Sequence, residues 1–237
     1  MCKECGCGLT EEVKDRQALE VFENILKFNQ KQAEHNREHL EEHRIFAINL
    51  MSGPGAGKTT LLERTLEELK DKYRLGVVEG DLETERDADR IRKKGIPVYQ
   101  ITTGTACHLD ASLLHKAMHH LPLDEIDILF VENIGNLVCP ANYDLGTHLS
   151  VTLLSVPEGP DKPEKYPLIF KSSELVLITK IDLLPYFDFD LEKVSEQIKR
   201  INPQAQIIPL SAKTGENFEK WLEFLESRFK EYISRFS

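Results

Sequence analysis

The chain has 237 residues, of which 41% are hydrophobic, so it is long enough and apolar enough to bury the core of one large α/β domain with an added arm. Its formal net charge is −10 and it shows no basic patch, which argues against nucleic acid as its main partner. No signal peptide opens the sequence and no apolar run approaches the length of a membrane span. We therefore expect a soluble, cytoplasmic protein with no membrane partner.

Three of the five cysteines lie in the first eight residues, at Cys2, Cys5 and Cys7. Such a peptide can wrap around one ion, because thiolates suit zinc, copper(I) and nickel, and the free α-amine can complete a four-coordinate site. The odd number of cysteines favours thiols that bind metal or react over a disulfide framework. We expect residues 1–8 to form a flexible, cysteine-rich metal-binding tail.

A charged helix is predicted next, as a helical arm over residues 9–43 that packs on the main domain or on a partner. Its apolar side chains fall near one face: Leu19, Phe22, Leu26 and Ala33. Histidines recur every four residues along one face, at His35, His39 and His43. A row along two turns of one helix cannot place all three rings on one ion, so the sequence favours solvated surface residues over a metal site.

The chain is organised around residues 48–62, which read I-N-L-M-S-G-P-G-A-G-K-T-T-L-L. An apolar strand over residues 45–51, a glycine-rich turn and a helix from Lys58 form the context that the phosphate-loop pattern G-x-x-x-x-G-K-S/T requires. Ser52 stands where that pattern has its first glycine, and we expect Gly53 to form the turn. Lys58 supplies a cation for phosphate and Thr59 a magnesium ligand, next to a helix N-terminus that favours anions. The predicted nucleotide contacts are Gly53, Gly55, Ala56, Gly57, Lys58, Thr59 and Thr60.

After a helix over residues 58–72, a short strand over residues 75–79 ends at Gly80 and Asp81. At the carboxyl end of a strand, Asp81 faces the crevice where α/β sheets bind ligands. It would hold the water shell of magnesium or position the attacking water. An N-cap for a helix beginning at Leu82 is an equal and compatible role.

Two thiol-bearing segments follow the next strands. Cys107 and His108 come after a strand over residues 98–102 and before a helix, whose N-terminus favours the thiolate.

The strand over residues 126–134 carries Glu132, followed by Gly135 and Cys139. A carboxylate at this place organises magnesium, and the glycine gives its N–H to the terminal phosphate. Cys139 would therefore move with any loop that senses that phosphate, although GTPases carry Asp where this chain has Glu132. With Lys58 and Asp81, Glu132 completes the predicted catalytic set.

Base recognition is predicted after a strand over residues 174–179, which ends in T-K-I-D where GTPases have N-K-x-D. Asp182 accepts the guanine N1 and N2 protons, which adenine lacks, and the stem of Lys180 lies over the base. Thr179 replaces the usual Asn. A last strand over residues 207–211 leads to a loop that contacts guanine O6 through its backbone, at Ser211, Ala212 and Lys213. The aromatic stripe of the final helix, residues 216–236, is assigned to the core.

These elements predict an α/β fold of the P-loop NTPase type over residues 44–237. We expect a mostly parallel twisted sheet of about seven strands, with helices on both faces and the helical arm at its N-terminus.

Six motifs together resemble the HypB family, the nickel-delivery GTPases of nickel–iron hydrogenase maturation: M-C-K-E-C-G-C-G, S-G-P-G-A-G-K-T-T, G-T-A-C-H-L-D-A, E-N-I-G-N-L-V-C-P, T-K-I-D-L and S-A-K-T-G. The resemblance covers nearly the whole chain. It implies slow GTP hydrolysis with GTP, GDP and Mg²⁺ as ligands, a tight nickel site at the three N-terminal cysteines, and a second site for Ni²⁺ or Zn²⁺ at Cys107, His108 and Cys139. It also implies a homodimer promoted by GTP, a HypA-type metallochaperone as partner, and the hydrogenase large-subunit precursor as client.

Other functions stay open at this point. The urease-maturation GTPases have similar nucleotide loops but a C-x-H metal motif, whereas Cys107 and His108 are adjacent. A metal-storage or metal-sensing module with vestigial hydrolysis would share every motif, and GTP turnover separates it from a GTPase. A small-molecule kinase would select adenine, against which Asp182 argues. We expect nucleotide state to alter the metal site at Cys107, His108 and Cys139, the alternative being a static structural zinc site.

Overall fold

The computed structural model describes residues 11–81, 86–104 and 106–236, so the thiol tail predicted at residues 1–8 lies outside the described residues. The strands are β1 (Phe46–Ser52), β2 (Leu75–Asp81), β3 (Val98–Thr102), β4 (Ile128–Glu132), β5 (Leu149–Ser155), β6 (Leu175–Thr179) and β7 (Gln206–Pro209). The helices are α1 (Glu11–Glu42), α2 (Lys58–Leu69), α3 (Arg86–Arg92), α4 (Ala111–Met118), α5 (Lys162–Lys165), α6 (Pro167–Lys171), α7 (Leu191–Ile201) and α8 (Phe218–Ile233). In the described part of the chain, no helix is both long and apolar enough to cross a membrane.

All seven strands join one sheet in the order β3-β2-β4-β1-β5-β6-β7, and every neighbouring pair is parallel. This confirms the predicted seven-stranded α/β fold. The strand order reverses at β1, which pairs with β4 on one side and β5 on the other. Because ligands bind outside the carboxyl ends of such strands at the reversal point, the loop leaving β1 is placed at the site.

The central strand β1 is buried along its whole length and contributes to the core on both faces of the sheet. Ile48 and Leu50 pack with residues of α2 and α8. Ala47 faces the opposite layer with α1 and α4, and Met51 packs with α6 and α7. Full burial of one such aliphatic side chain stabilises the fold by about 1.5–3 kcal/mol. The loop that follows β1 is therefore anchored to a rigid strand.

The second half of α1 packs on the main domain. This is one of the two arrangements predicted for the helical arm, the other being packing on a partner. Ala33, Asn36 and Leu40 are fully buried. The Asn36 side-chain amide donates hydrogen bonds to the carbonyl oxygens of Ala111 (2.7 Å) and Leu145 (3.0 Å). The helix is thereby joined to the start of α4 and to the loop before β5. The side chains of Leu19 and Phe22 lie outside the described residues.

The aromatic stripe of α8 is core, as predicted. Phe218, Trp221 and Leu225 are buried against α2 and the sheet. The indole N–H of Trp221 donates a 2.9 Å hydrogen bond to Thr65 Oγ1 on α2. This bond satisfies the polar end of a fully buried ring, so α8 is held at one position along α2.

Several element boundaries differ from the prediction. The strand predicted over residues 126–134 is limited to Ile128–Glu132, since the Ile134 N–H bonds to the Asn133 side chain at 3.0 Å rather than to a neighbouring strand. The helix predicted from Leu82 is described only from Arg86, because residues 82–85 lie outside the described ranges. Helices α5, α6 and α7 were not predicted. The signals of α5 and α6 are short and contain Pro163 and Pro167, whereas α7 is an uninterrupted amphipathic helix capped by Asp190 that the sequence analysis overlooked.

Candidate nucleotide and metal site

The phosphate loop runs from the carboxyl end of β1 to the first turn of α2. Gly55 and Gly57 have φ values of 74° and 93°, a left-handed conformation that glycine adopts without steric cost. Gly53, where the sequence predicted the turn, does not have a positive φ. A Cβ atom at this position would instead displace the Glu158 carboxylate, which lies directly against Gly53. The predicted turn therefore belongs to Gly55 and Gly57.

Lys58 is buried beneath this loop, where its Nζ donates a 2.9 Å hydrogen bond to Ser52 Oγ. Ser52, which departs from the glycine of the motif, thus serves as an acceptor for the lysine. Burial lowers the pKa of Lys58, whereas the carboxylates of Glu132 and Glu158 act in the opposite direction. The two carboxylates compensate for the loss of hydration around the ammonium group.

Thr59 and Glu132 meet at the start of α2. Thr59 Oγ1 donates a 2.8 Å hydrogen bond to Glu132 Oε1 at the end of β4. A hydroxyl and a buried carboxylate in contact are oxygen donors of the kind that Mg²⁺ prefers, and the longer side chain of Glu lets its carboxylate reach Thr59 directly. Asp81 ends the adjacent strand β2, and its side chain is half-buried at the same edge of the sheet. The structure therefore places two of these predicted residues, Glu132 and Asp81, at neighbouring strand ends and the third, Thr59, in the first turn of α2 in contact with Glu132.

The segment after β4 lies directly against the phosphate loop. A Cβ atom on Gly135 would be 2.9 Å from Pro54 Cα, closer than real Cβ contacts allow. Only glycine permits this approach of two backbones. Gly135 is thus beside the loop where a residue that senses the terminal phosphate has to lie.

A pocket of about 310 Å³ is lined by the predicted base-recognition residues, by three residues of the phosphate loop and helix α2, and by Leu183, which was not predicted: Ala56, Gly57, Thr60, Thr179, Lys180, Asp182, Leu183, Ser211, Ala212 and Lys213. Thr179 Oγ1 donates a 2.8 Å hydrogen bond to the Ala56 carbonyl, and Lys180 Nζ donates one of 2.6 Å to the Gly55 carbonyl. Ser211 Oγ donates a 2.7 Å hydrogen bond to Asp182 Oδ1 and so orients the carboxylate. The base pocket and the phosphate loop are therefore cross-linked into one unit.

The second cluster brings together Cys107, His108 and Cys139, whose ligand atoms all lie within 4.8 Å of one another. The two sulfur atoms are 2.8 Å apart, and Cys107 Sγ is 3.8 Å from His108 Nδ1. Two thiolates and one imidazole are a donor set that suits a borderline divalent ion such as Zn²⁺ or Ni²⁺. These three side chains can hold a metal ion whose remaining ligand comes from outside the cluster.

The surroundings of this cluster hold its imidazole in place. The His108 ring stacks on Tyr143 with ring centroids 4.0 Å apart, and burial lowers the pKa of His108. Hydrogen bonding with Cys107, together with burial, raises the pKa of Cys139. An incoming metal must therefore displace thiol protons, so binding at this site should release them.

Asn133, immediately after Glu132, connects the two sites. Its Oδ1 accepts hydrogen bonds from the N–H groups of Leu109 and Ile134, at 3.1 and 3.0 Å, and its Nδ2 donates to Asn49 Oδ1 at 3.3 Å. Leu109 directly follows His108 in the metal cluster. One buried side chain therefore joins the strand that carries Glu132 to the loop that carries the metal ligands.

Sequence reasoning missed four residues of this site: Tyr143, Asn133, the Glu158 carboxylate, and Thr179 as a contact to the phosphate loop. Glu158 had a detectable signal, since Ser155 and Glu158 have the S-x-x-E spacing of a capping box, and the structure forms it. Cys2, Cys5 and Cys7 lie outside the described residues.

Comparison with known proteins assigns this geometry to a family. Residues 46–209 match the family model described as CobW/HypB/UreG, nucleotide-binding domain. The chain is 48% identical over 216 residues to the hydrogenase maturation factor HypB of Escherichia coli (strain K12), covering 91% of this chain and 74% of that protein. It is 46% identical over 213 residues to the probable HypB of Methanocaldococcus jannaschii, covering 90% and 96%. The crystal structure of HypB from Helicobacter pylori in complex with nickel is similar with a TM-score of 0.81 and 43% identity, covering 86% of this chain and 95% of that one.

The matched residues include the phosphate loop, Glu132, the metal cluster and the T-K-I-D segment, so the comparisons confirm the resemblance drawn from these motifs. The chain therefore belongs to the HypB family of hydrogenase maturation factors, and it is a GTP hydrolase with the CobW/HypB/UreG nucleotide-binding domain.

Proposed function

We propose that this protein delivers nickel to the large-subunit precursor of a nickel–iron hydrogenase, and that GTP binding and hydrolysis switch both its dimer and its metal site. The observation that carries the proposal is the convergence of Cys107, His108 and Cys139 within 4.8 Å at the nucleotide-binding edge of the sheet. A similar protein, HypB from Helicobacter pylori, has been crystallised in complex with nickel.

The nucleotide roles follow from the contacts of the phosphate loop and the base pocket. Asp182, oriented by Ser211, accepts the guanine N1 and N2 protons and so favours GTP over ATP. Lys58 and the backbone around Gly55 and Gly57 bind the phosphates. Thr59 and Glu132 would hold Mg²⁺, which supplies charge neutralisation at the β- and γ-phosphates when bound. Asp81 orients the attacking water.

Nickel is the cargo in this scheme, and the two-thiolate, one-imidazole set also accepts zinc. A further ligand would come from water or from the second subunit of a GTP-promoted homodimer. Cys2, Cys5 and Cys7 would form a separate, tighter nickel site in residues 1–8, ahead of a helical arm at residues 9–43 and the GTPase domain at residues 44–237. The expected partners are a HypA-type metallochaperone and the hydrogenase precursor, in the cytoplasm.

Coupling between the sites rests on two connections. Cys139 follows Gly135 by four residues, and Gly135 lies against Pro54 of the phosphate loop. Asn133 bonds to the Leu109 N–H beside His108. A loop movement driven by the γ-phosphate would therefore shift ligands in both halves of the metal cluster. The coupling has to be reciprocal, so metal must change GTP affinity by the same factor, typically ~1–3 kcal/mol in free energy.

The proposal is tested by titrating Ni²⁺ and Zn²⁺ into the full chain with Cys2, Cys5 and Cys7 replaced by serine, first with GDP and then with a non-hydrolysable GTP analogue. We expect affinity or ligand spectra to differ between the two nucleotide states, and Cys107→Ser with Cys139→Ser to abolish that difference. Identical metal affinity and identical spectra in both nucleotide states would contradict the coupling and show that the cluster is a static structural site. Transfer of ⁶³Ni to the purified precursor, dependent on GTP, then tests delivery itself.

A further inference from the structure

Five histidines meet on the surface between α1 and α4, and we refer to them as the histidine cluster: His35, His39, His43, His115 and His119. Three come from α1 and were recognised in the sequence as a row that could not share one ion. The other two come from the end of α4, which packs against α1. The second helix removes the geometric objection, because rings can now approach one point from two directions.

One pair of rings within the cluster already has the spacing of imidazoles around one metal ion. Ligand nitrogens bonded at ~2.0–2.1 Å to a tetrahedral ion are about 3.3 Å apart, and the ring centroids behind them are about 5 Å apart. Nε2 of His115 and Nε2 of His119 are 3.1 Å apart, with ring centroids at 4.6 Å. The His39 centroid lies farther away, 5.7 Å from that of His119 and 6.0 Å from that of His115, so the His39 ring has to turn toward this pair to share its ion.

Two ring nitrogens in the cluster are buried without a hydrogen-bond partner, namely Nδ1 of His39 and Nδ1 of His115. Buried polar atoms are normally paired, and an unpaired one indicates either a cost to stability or a missing ligand. At His115 the unpaired Nδ1 is on the other side of the ring from the Nε2 that faces His119, so the unpaired nitrogen of His39 is the one that indicates a missing ligand at the shared point.

The cluster is open to ions from one side. A cleft of about 330 Å³ is lined by His39, His43 and His119 together with Asp124 and Glu125. Asp124 Oδ1 lies 2.8 Å from His43 Nδ1. Carboxylates at the rim attract a cation and can orient a ligand histidine through its second nitrogen.

We propose that His39, His115 and His119 form a metal site separate from both cysteine sites, which takes a borderline divalent transition ion such as Ni²⁺ or Zn²⁺ and clamps α1 to α4. His35 and His43 flank the three ligands, and a water or Asp124 completes the coordination. This site is distinct from the cysteine cluster. Cys107 and His108 precede the N-terminus of α4, whereas His115 and His119 lie at its far end, about 10 Å along the helix axis. The site goes beyond the proposed delivery function and does not depend on it.

The test uses the full chain with all thiol ligands removed by serine at Cys2, Cys5, Cys7, Cys107 and Cys139. Calorimetric titration with Ni²⁺, and separately with Zn²⁺, should show one bound equivalent per chain. Adding His115→Ala or His39→Ala should weaken binding at least about tenfold, since even indirect partners of metal ligands contribute that much. Metal should also raise the unfolding midpoint of the thiol-free chain, and this rise should disappear in both variants.

His120→Ala is the matched control, because His120 is exposed near the same end of α4 but stacks on Tyr99 with centroids 4.5 Å apart, outside the cluster. It should leave metal binding unchanged. Unchanged GDP affinity in every variant establishes that each is folded. Metal binding that survives His115→Ala, or that is lost equally with His120→Ala, would overturn the proposed site and indicate unspecific binding to surface histidines.

Discussion

Asn133 Oδ1 and the backbone N–H of Leu109 are joined by a 3.1 Å hydrogen bond that ties the end of β4 to the loop before α4. The Asn133 side chain is almost completely buried, and the same oxygen also accepts the Ile134 N–H. The connection between the strand that carries Glu132 and the loop that carries His108 thus depends on one acceptor atom.

Asn133→Ala should reduce the difference in metal affinity between the GDP and GTP-analogue states. It leaves two buried N–H groups unpaired, so we also expect the free energy of unfolding to fall by about 1–3 kcal/mol. Denaturant unfolding and paired metal titrations measure the two effects. Asn24→Ala, at an exposed position on α1, is the control and should change neither. A full nucleotide effect on metal affinity in a folded Asn133→Ala protein would exclude this side chain as the connection.

Asp182→Asn should weaken GTP binding and strengthen binding of xanthosine triphosphate, because the amide can donate to the carbonyl that xanthine has in place of the guanine amino group. A hydrogen bond to a charged acceptor contributes about 1.5–3 kcal/mol, so the loss for GTP should be tenfold or more. Calorimetry with both nucleotides gives the comparison. Asp188→Asn, exposed on the following loop, should bind both nucleotides like the parent. Unchanged GTP affinity in Asp182→Asn would refute the assignment of the base contact.

Thr179→Val keeps the shape of the side chain but removes the hydroxyl that donates to the Ala56 carbonyl. The buried carbonyl then lacks a partner, which costs about 1–3 kcal/mol, and the base pocket is released from the phosphate loop. We expect weaker GDP binding, measured with a fluorescent analogue, and faster nucleotide release. Thr179→Ser should behave like the parent, since it retains the donor. If Val and Ser bind GDP equally well, the hydrogen bond does not hold the pocket.

His148 should govern part of the acid stability. Burial, with Arg37 and Arg235 nearby, lowers the pKa of His148 to about 4, although Glu41 Oε1 lies 4.0 Å from its Nε2. Its Nδ1 accepts a 3.0 Å hydrogen bond from the Ala47 N–H in β1, which requires a neutral ring. In the unfolded chain the pKa of this ring is about 6.5, so the unfolded state binds the proton first as pH falls. The stabilisation is complete above that value and is lost between pH ~6.5 and ~4.

From pH 7 to pH 5 this histidine should therefore remove about 2 kcal/mol from the free energy of unfolding. His148→Asn keeps an acceptor for the Ala47 N–H but cannot be protonated in this range, so its stability should fall less over the same interval. Urea unfolding at several pH values gives the free energy of unfolding as a function of pH for the parent and for the variant. Parallel curves for the parent and the variant would show that His148 does not titrate on unfolding.

The fold was predictable because each strand has an apolar run and the residues at its carboxyl end have recognisable chemistry. Lys58, Glu132 and Asp182 could be assigned from their spacing to such runs. The capping box of Glu158 was also visible, but its contact with Gly53 was not, because that contact depends on β5 lying beside β1, and this pairing does not follow from local pattern. The short helices α5 and α6 were missed because each is about one turn long and contains a proline, whereas α7 had a clear helical signal that was overlooked.

The histidine cluster was even harder to predict from the sequence than the contact of Glu158. His39 and His115 were both visible in the sequence, but the approach of α1 to α4 depends on buried Asn36 bonding to Ala111, a contact between segments far apart in the chain. Periodicity indicates which residues share a face of a helix. It does not indicate which other helix that face will meet.

The position of β1 between β4 and β5 also has a consequence for synthesis on the ribosome. Ile48 pairs with Phe130 on one side and Leu149 on the other, so the strand that supports the phosphate loop has both neighbours only after roughly a hundred further residues have been made. At typical elongation rates this takes ~5–20 s, during which an apolar strand without its partners is exposed to chaperones or to aggregation. The nascent chain should therefore become able to bind GTP late and in one step, after the strands that flank β1 and the loop bearing Ser211 have emerged.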